Sequence, residues 1–358
     1  MQIYINGRFL AQSITGVQRY ALELIKAIDL LITEKKIDGE ITILAPKNYI
    51  LNPPLNNIKI KKVGIFKGHL WEQVELPFYS KGGVLFNPCG PAPLLKKEQV
   101  VTIHDGAVFA NSQAFTKLFS AWYKIMFKTL GKQSREILTV SDFSKSELVK
   151  YLKVSPDKFT VTYLGKEHIT RLNSDYNIIK ENNLDKEKYV LAVSSLSPNK
   201  NFKGIVKAIE LMDLDLNVKI VIAGGSHPSV FSDKLQITSD KIIHVGYVTD
   251  NELKALYENA LCFVYPSFYE GFGLPPLEAM ALKCPVIVSN RASLPEIGQN
   301  SVLYCNPNDP NDIASKIKMI VESEDLREEF ANKGLERSKN FSWRKCAIET
   351  IKVINRFE

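Results

Sequence analysis

Short apolar runs rich in Ile, Val, Leu and Phe alternate with longer amphipathic stretches along the chain. The runs at 2–6, 41–45, 84–86, 100–104, 137–140 and 159–163 predict strands in the first half, and those at 190–194, 218–223, 242–245, 262–265, 286–288 and 302–304 predict strands in the second. Between them, apolar positions recur at helical spacing near 15–33, 113–133, 142–152, 200–212, 250–260, 273–282, 310–322 and 325–339. Strand-helix-strand alternation of this kind builds parallel sheets covered by helices on both faces. There are too many strands for one sheet. The polar stretch Arg171-Leu172-Asn173-Ser174-Asp175-Tyr176-Asn177 and the lysine- and asparagine-rich segment behind it separate the two sets. The expected class is therefore α/β, with doubly wound, Rossmann-like domains at 1–172 and 173–340 and a closing segment at 341–358. Such sheets bind ligands outside the carboxyl ends of their strands, so two of them facing each other make a cleft.

Composition narrows the picture. A chain of 358 residues favours two cores over one, and 45% apolar with 24% charged residues is ordinary for a globular protein. No run approaches the roughly 18 consecutive apolar residues of a membrane span. The opening Met1-Gln2-Ile3-Tyr4-Ile5-Asn6-Gly7 reads as strand and turn, with no charged leader before an apolar block, so a cytoplasmic location is expected. The five cysteines are scattered without a C-x-x-C pair, and Cys262, Cys284 and Cys305 lie in or beside apolar runs, as reduced core thiols do. The net charge of +7 is unevenly spread: residues 1–180 hold 25 basic against 15 acidic side chains, and the rest hold 21 against 24. A basic first half points to an anionic partner. No zinc-finger, RNA-recognition or helix-turn-helix signature directs that charge to nucleic acid, which leaves an anionic membrane surface.

The densest chemistry lies at Tyr265-Pro266-Ser267-Phe268-Tyr269-Glu270-Gly271-Phe272-Gly273-Leu274-Pro275-Pro276-Leu277-Glu278. A strand ends here, a glycine-rich turn follows, and a helix opens near Pro275, where a missing N–H costs nothing. The N–H groups of Gly273 and Leu274 and the helix dipole form a diphosphate site. Glu270 before the turn and Glu278 inside the helix reach the same region. Two carboxylates beside a phosphate site need hydroxyl donors, which sugars and ribose supply. Taken one at a time, each glutamate reads better as surface. Val193-Ser194-Ser195-Leu196-Ser197-Pro198-Asn199-Lys200-Asn201 likewise follows a strand and opens a helix. In the first half, Thr15-Gly16-Val17-Gln18-Arg19-Tyr20 follows the first strand, and Gly16 lets a ligand approach the backbone or is simply a turn residue. Val100-Val101-Thr102-Ile103-His104-Asp105 is a buried strand ending in His-Asp, a place where a histidine is more often structural. Ser141-Asp142 reads as a helix cap.

Together these segments resemble the retaining GT-B glycosyltransferases of family 4. Glu270 and Glu278, with seven residues between them and framed by Gly-Phe-Gly and Pro-Pro, match that family's E-x7-E signature. The resemblance runs the length of the chain and is strongest over 190–300. It implies a GT-B fold and transfer of a sugar from a nucleotide diphosphate without a metal or other cofactor. It also implies that Lys200 neutralises the departing diphosphate, that His104 sits beside the transferred sugar, and that Gly246-Tyr247 lies near the nucleotide base. Phe341-Ser342-Trp343 and the helix behind it match the family's closing helix, which crosses back over the first domain. Ser195 stands where many relatives carry arginine, which reduces the positive charge at the leaving group unless a side chain such as Arg19 supplies it. The Thr-Gly-Val-Gln-Arg-Tyr segment, the His-Asp strand and Ser293-Leu294-Pro295-Glu296 look most like the O-antigen mannosyltransferase branch, which suggests GDP-mannose as donor and a lipid-linked glycan as acceptor.

Asp213-Leu214-Asp215 fits the D-x-D pattern of metal-dependent transferases, but precedes a strand instead of ending one. A UDP-sugar donor, a sugar-nucleotide epimerase, a glycogen-phosphorylase-like enzyme and a non-catalytic nucleotide-binding partner in a glycan assembly complex share the architecture. A nicotinamide dehydrogenase lacks its G-x-G-x-x-G. Finally, Phe115, Leu118, Phe119, Trp122, Ile125, Met126 and Leu130 are expected on one face of the 113–133 helix, and Lys117, Lys124, Lys128 and Lys132 on the other. That lysine face, if not merely solvated, would hold the first domain at the inner leaflet of the cytoplasmic membrane.

Overall fold

The computed structural model describes residues 2–37, 39–112, 115–193, 198–212, 218–224 and 241–357. It divides into Met1–Gly165 with Ser342–Glu358, and Lys166–Phe341. The first unit carries strands β1 (Gln2–Asn6), β2 (Glu40–Ala45), β3 (Lys59–Lys62), β4 (Val84–Asn87), β5 (Gln99–Thr102), β6 (Glu136–Thr139) and β7 (Phe159–Val161). The second carries β8 (Tyr189–Val193), β9 (Lys219–Ala223), β10 (Ile242–Gly246), β11 (Cys262–Tyr265), β12 (Val286–Ser289) and β13 (Leu303–Cys305). Their orders are β3-β2-β1-β4-β5-β6-β7 and β10-β9-β8-β11-β12-β13, all pairs parallel. Each order reverses direction once, between β1 and β4 in the first sheet and between β8 and β11 in the second. Those reversals are the switch points where doubly wound sheets open a crevice at the strands' carboxyl ends.

The central strands β4, β5, β6, β11 and β12 are buried at every residue, as parallel strands covered on both faces must be. Every strand expected from the apolar runs is present, and one was not expected. β3 is Lys-Ile-Lys-Lys, exposed at three of its four positions, and pairs Thr42 with Lys59 through Ala45 with Lys62. It lies at the sheet edge, where lysines discourage pairing with other chains. It is anchored from outside its own sequence. The buried Asp29 carboxylate accepts the backbone N–H groups of Asn56, Asn57 and Ile58 at 2.9, 2.8 and 2.8 Å.

The division between units falls ahead of the polar stretch at 171–177. The short helix Glu167–Thr170 packs against the Leu274–Ala281 and Asp250–Asn259 helices and buries His168 and Ile169, so this segment belongs to the second unit. At the other end, the Trp343–Ile354 helix lies against the Gly16–Thr33 helix of the first unit. Trp343 is buried with its ring centroid 6.1 Å from that of Tyr20, and Arg344 forks onto Glu34 at 2.9 and 2.6 Å.

The helix expected at 113–133 spans Lys117–Gln133, capped by Thr116. Its faces differ from the expected ones. Ser120, Met126, Phe127, Leu130 and Gly131 are buried, whereas Leu118 and Ile125 are 83% and 60% exposed and Lys124 is half-buried. The expected stripe was too wide: Leu118 and Ile125, seven residues apart, lie along one line at its rim and miss the core. No described helix is long and apolar enough to cross a membrane.

Candidate active site

In the second unit the β8 and β11 exits meet at the switch point. Lys200 ends a single 3-10 turn, Pro198–Lys200, after β8, and Glu270 lies in the loop after β11. Lys200 Nζ stands 2.7 Å from Glu270 Oε1 and also donates to the Tyr265 hydroxyl, whose ring centroid is 4.9 Å away. Burial works against the ammonium, but the facing Tyr265 and Glu270 outweigh it and raise the Lys200 pKa, so the cation is held. Ser267 Oγ adds a second contact to Glu270 Oε1. The charge of Glu270 is thus met inside the protein, by a lysine and a serine, rather than by ligand hydroxyls alone.

The loop carrying Glu270 is stitched down. The Phe268 N–H donates to the Asn199 carbonyl at 2.7 Å, and Ser293 Oγ lies 3.0 Å from the Glu270 carbonyl and 2.8 Å from that of Phe272. Gly271, Phe272 and Gly273 are all buried. Gly273 sits at φ +106, and a Cβ there would come within 2.8 Å of Leu294 Cδ2, so the turn demands glycine. It is the N-cap of the Leu274–Ala281 helix, which leaves the first N–H groups of that helix without intrahelical partners. Asn201, beside Lys200, acts on the backbone instead. It caps the Phe202–Leu211 helix from a left-handed conformation (φ 54) and donates to the Pro307 carbonyl at 2.7 Å.

Glu278, one turn into its helix, is also buried, but its partners are different. His168 Nε2 lies 2.7 Å from Oε1, and the Tyr257 hydroxyl lies 3.3 Å from both Oε2 and the Pro275 carbonyl. Burial and the adjacent Glu278 charge hold the Tyr257 phenol well above its ordinary pKa, so it remains a donor.

In the first unit, His104 follows β5. Its Nε2 faces the Pro88 carbonyl at 2.9 Å, and Tyr20 meets its ring edge-on at 4.7 Å. A carbonyl only accepts, so Nε2 carries the hydrogen. Burial lowers the His104 pKa to about 4 against the opposing effect of Pro88, so the ring is neutral and Nδ1 is an acceptor. Asp105 Oδ1 accepts the Ala107 N–H at 2.8 Å. His104 and Asp105 line a cavity of about 290 Å³ together with Arg8, Gln12, Phe119 and Tyr123. Phe115, Phe119 and Tyr123 form a stacked ladder along one wall, with centroids 5.4 and 4.1 Å apart. Arg8 is neutralised by Glu72, which is buried on a π-helical turn (Trp71–Glu75) and accepts Arg8 Nε at 3.0 Å and Asn6 Nδ2 at 2.8 Å. Gly16 opens its helix, and a Cβ there would meet nothing within 4 Å.

The structure therefore brings Lys200, Glu270, Gly271, Phe272, Gly273, Leu274 and Glu278 into one corner of the second unit. Gly246 ends β10 with φ +72, and Tyr247 beyond it is 82% exposed. His104 and Gly16 belong to the first unit. Ser195, Asp213 and Asp215 lie outside the described residues. Ser141 Oγ caps its helix at Ser144 N, 3.0 Å away. Arg8, Glu72 and Tyr123, and Tyr257, Tyr265 and His168, were not anticipated. Of these, Tyr265 ends the strand that opens the Glu270 segment and Arg8 lies two residues past the first strand; the others had no positional cue. Among the described residues no three His, Cys, Asp or Glu side chains gather as metal ligands do.

Residues 174–337 match the family described as glycosyl transferases group 1. The chain is 32% identical over 261 residues to the O-antigen chain mannosyltransferase B of Escherichia coli, an alignment covering 70% of this chain and 68% of that protein. It is similar to the solved structure of sucrose-phosphate synthase from Thermosynechococcus elongatus (TM-score 0.76, 18% identity, 99% of this chain and 98% of that one). It is also similar to Anabaena HepE in complex with UDP-glucose (TM-score 0.76, 12% identity, 99% of each chain). At such identities the structural likenesses speak for the fold, which is GT-B.

Proposed function

We infer a reaction from one premise: the chain belongs to the group 1 glycosyl transferases. The reading is a retaining transfer of mannose from GDP-mannose to a hydroxyl of a glycan acceptor, lipid-linked, in the assembly of a surface polysaccharide. The observation that carries it is the Lys200–Glu270 pair at the second switch point, 2.7 Å apart beside the open N-terminus of the Leu274–Ala281 helix. A sugar diphosphate needs fixed positive charge where its leaving oxygen gathers electrons, and hydrogen-bond partners where its hydroxyls sit. On this reading Lys200 and the Gly273 and Leu274 N–H groups take the diphosphate, and Glu270 accepts hydroxyls of the sugar. Glu278 accepts those of the ribose, and Gly246-Tyr247 lies by the base. His104 Nδ1 accepts one further hydroxyl, and Gly16 offers backbone without a side chain in the way.

The acceptor oxygen forms its bond to C1 on the face from which the phosphate oxygen departs, and that departing oxygen takes the acceptor's proton. Catalysis then rests on positioning and on stabilising the leaving group. Lys200 and the helix N-terminus supply that stabilisation, so the reaction is metal-independent. The O-antigen mannosyltransferase relative supports mannose. A UDP-glucose donor is the second reading, supported by the structural neighbour that holds UDP-glucose.

On this reading the acceptor sits with the first unit, in the cavity beside His104. Of the nineteen large apolar side chains exposed among the described residues, fourteen lie in that unit, including Ile65, Phe78, Leu95 and Leu118 at 72%, 74%, 86% and 83%. With its excess of lysines, this surface suits peripheral attachment to an anionic inner leaflet, each lysine contributing roughly 1 kcal/mol. The deciding experiment incubates the protein with GDP-mannose or UDP-glucose and a lipid-linked glycan, with and without excess EDTA, and reads the product by NMR. An α-mannoside formed equally with and without EDTA is the expected result. A β-linked product, or a strict need for Mn²⁺, overturns the mechanism.

A further inference from the structure

We propose that His168 is a positioning residue that fixes the Glu278 carboxylate for the nucleotide ribose. The proposal rests on the reading of Glu278 as the ribose-binding group and adds the side chain that makes that group work. His168 and Ile169 are the buried pair of a short helix, Glu167–Thr170, packed on the helix that carries Glu278. Its side chain is 2% exposed and that of Glu278 10%, and the 2.7 Å contact between Nε2 and Oε1 joins residues 110 positions apart. A carboxylate on a helix rotates freely about its last bond unless something holds it. Here His168 holds Oε1 from one side and Tyr257 holds Oε2 from another.

The count of acceptor positions is what makes this arrangement suited to a diol. A carboxylate offers about four lone-pair positions, and an imidazole Nε2–H and a phenol O–H take one each. The two left over have fixed directions, because the carboxylate is planar and His168 pins one of its oxygens. Vicinal ribose hydroxyls are two donors at fixed separation, which is the ligand such a pair of sites accepts. Without His168 the carboxylate would turn, and the second hydroxyl would lose its partner.

The test measures affinity for GDP, 2′-deoxy-GDP and 3′-deoxy-GDP by calorimetry, with the UDP series run alongside. It uses the whole protein and its His168→Leu, His168→Gln and Glu278→Gln variants. The wild type is expected to favour the ribonucleotide by about tenfold over either deoxy form, the value of one charge-assisted hydrogen bond. His168→Leu should bring that ratio close to one, and His168→Gln, whose amide nitrogen can stand where Nε2 stood, should restore most of it. Should the leucine variant fold poorly, His168→Asn serves in its place, since its amide stops short of Oε1 and should lose the ratio too. A His168→Leu or His168→Asn protein that binds everything more weakly but keeps the wild-type ratio overturns the proposal and leaves His168 as packing. A Glu278→Gln protein that keeps the ratio overturns the ribose reading itself, and the two failures are thereby told apart.

Discussion

The two units share a plan and differ in chemistry. Each is a parallel sheet that reverses once, and each gathers its notable side chains at the carboxyl ends beside the reversal. In the second unit those side chains are acids and bases held in pairs: Lys200 with Glu270, and Glu278 with His168 and Tyr257. In the first, Arg8 is likewise paired with a buried Glu72, but the histidine is neutral and an aromatic ladder forms the wall. The surface follows the same division, with most of the exposed large apolar side chains on the first unit. One topology thus provides a place for a ligand without choosing it, and the side chains at the switch point make the choice. A fixed cation with an open helix N-terminus suits a diphosphate. An aromatic face opposite a neutral acceptor suits a sugar, which is apolar on one side and hydroxylated at its edge.

The comparison breaks most readily at Lys200. Lys200→Ala should lower turnover by about 10²–10³-fold while nucleotide affinity changes far less, because leaving-group charge grows in the transition state. Single-turnover kinetics beside nucleotide titration read the two effects separately, and near-normal turnover would remove the charged half of the contrast.

Acid tests the neutral half. The His104 pKa is about 4 in the fold against 6.5 when unfolded, so the unfolded chain binds more protons between those values. Stability from this residue is complete above pH 6.5 and falls as pH drops toward 4, by up to about 3 kcal/mol. Urea titrations from pH 7 to 4.5 should show that slope in the wild type and a shallower one in His104→Gln. Equal slopes would mean that the ring is not held neutral.

The smallest effect is expected at the aromatic wall. Phe119 is 39% exposed and stacked on Tyr123, so Phe119→Ala should raise the acceptor KM severalfold, about 1 kcal/mol, and leave the donor KM unchanged. A rise in the donor KM instead would assign the cavity to the transferred sugar and sharpen the comparison in that direction.

What the sequence by itself determined follows from local rules. Buried parallel strands read as apolar runs, so their places were legible. The Gly-Phe-Gly turn before Pro275 was legible because positive φ and a helix start restrict which residues can stand there. Glu270, Glu278 and Lys200 were singled out because the segments that carry them resemble the motifs of a known family. What only the tertiary structure decided is who faces them. Lys200 meets Glu270 across 70 positions and His168 meets Glu278 across 110, and no periodicity encodes a pair that distant. The same holds for β3, a run of lysines that becomes a strand because Asp29 on a helix binds the backbone ahead of it. Its polar sequence has no apolar alternation to reveal it. The faces of the Lys117–Gln133 helix were misjudged for a related reason: a period locates an apolar stripe, but the neighbours that pack against it set how wide a stripe is buried, and they are fixed only when the chain has folded.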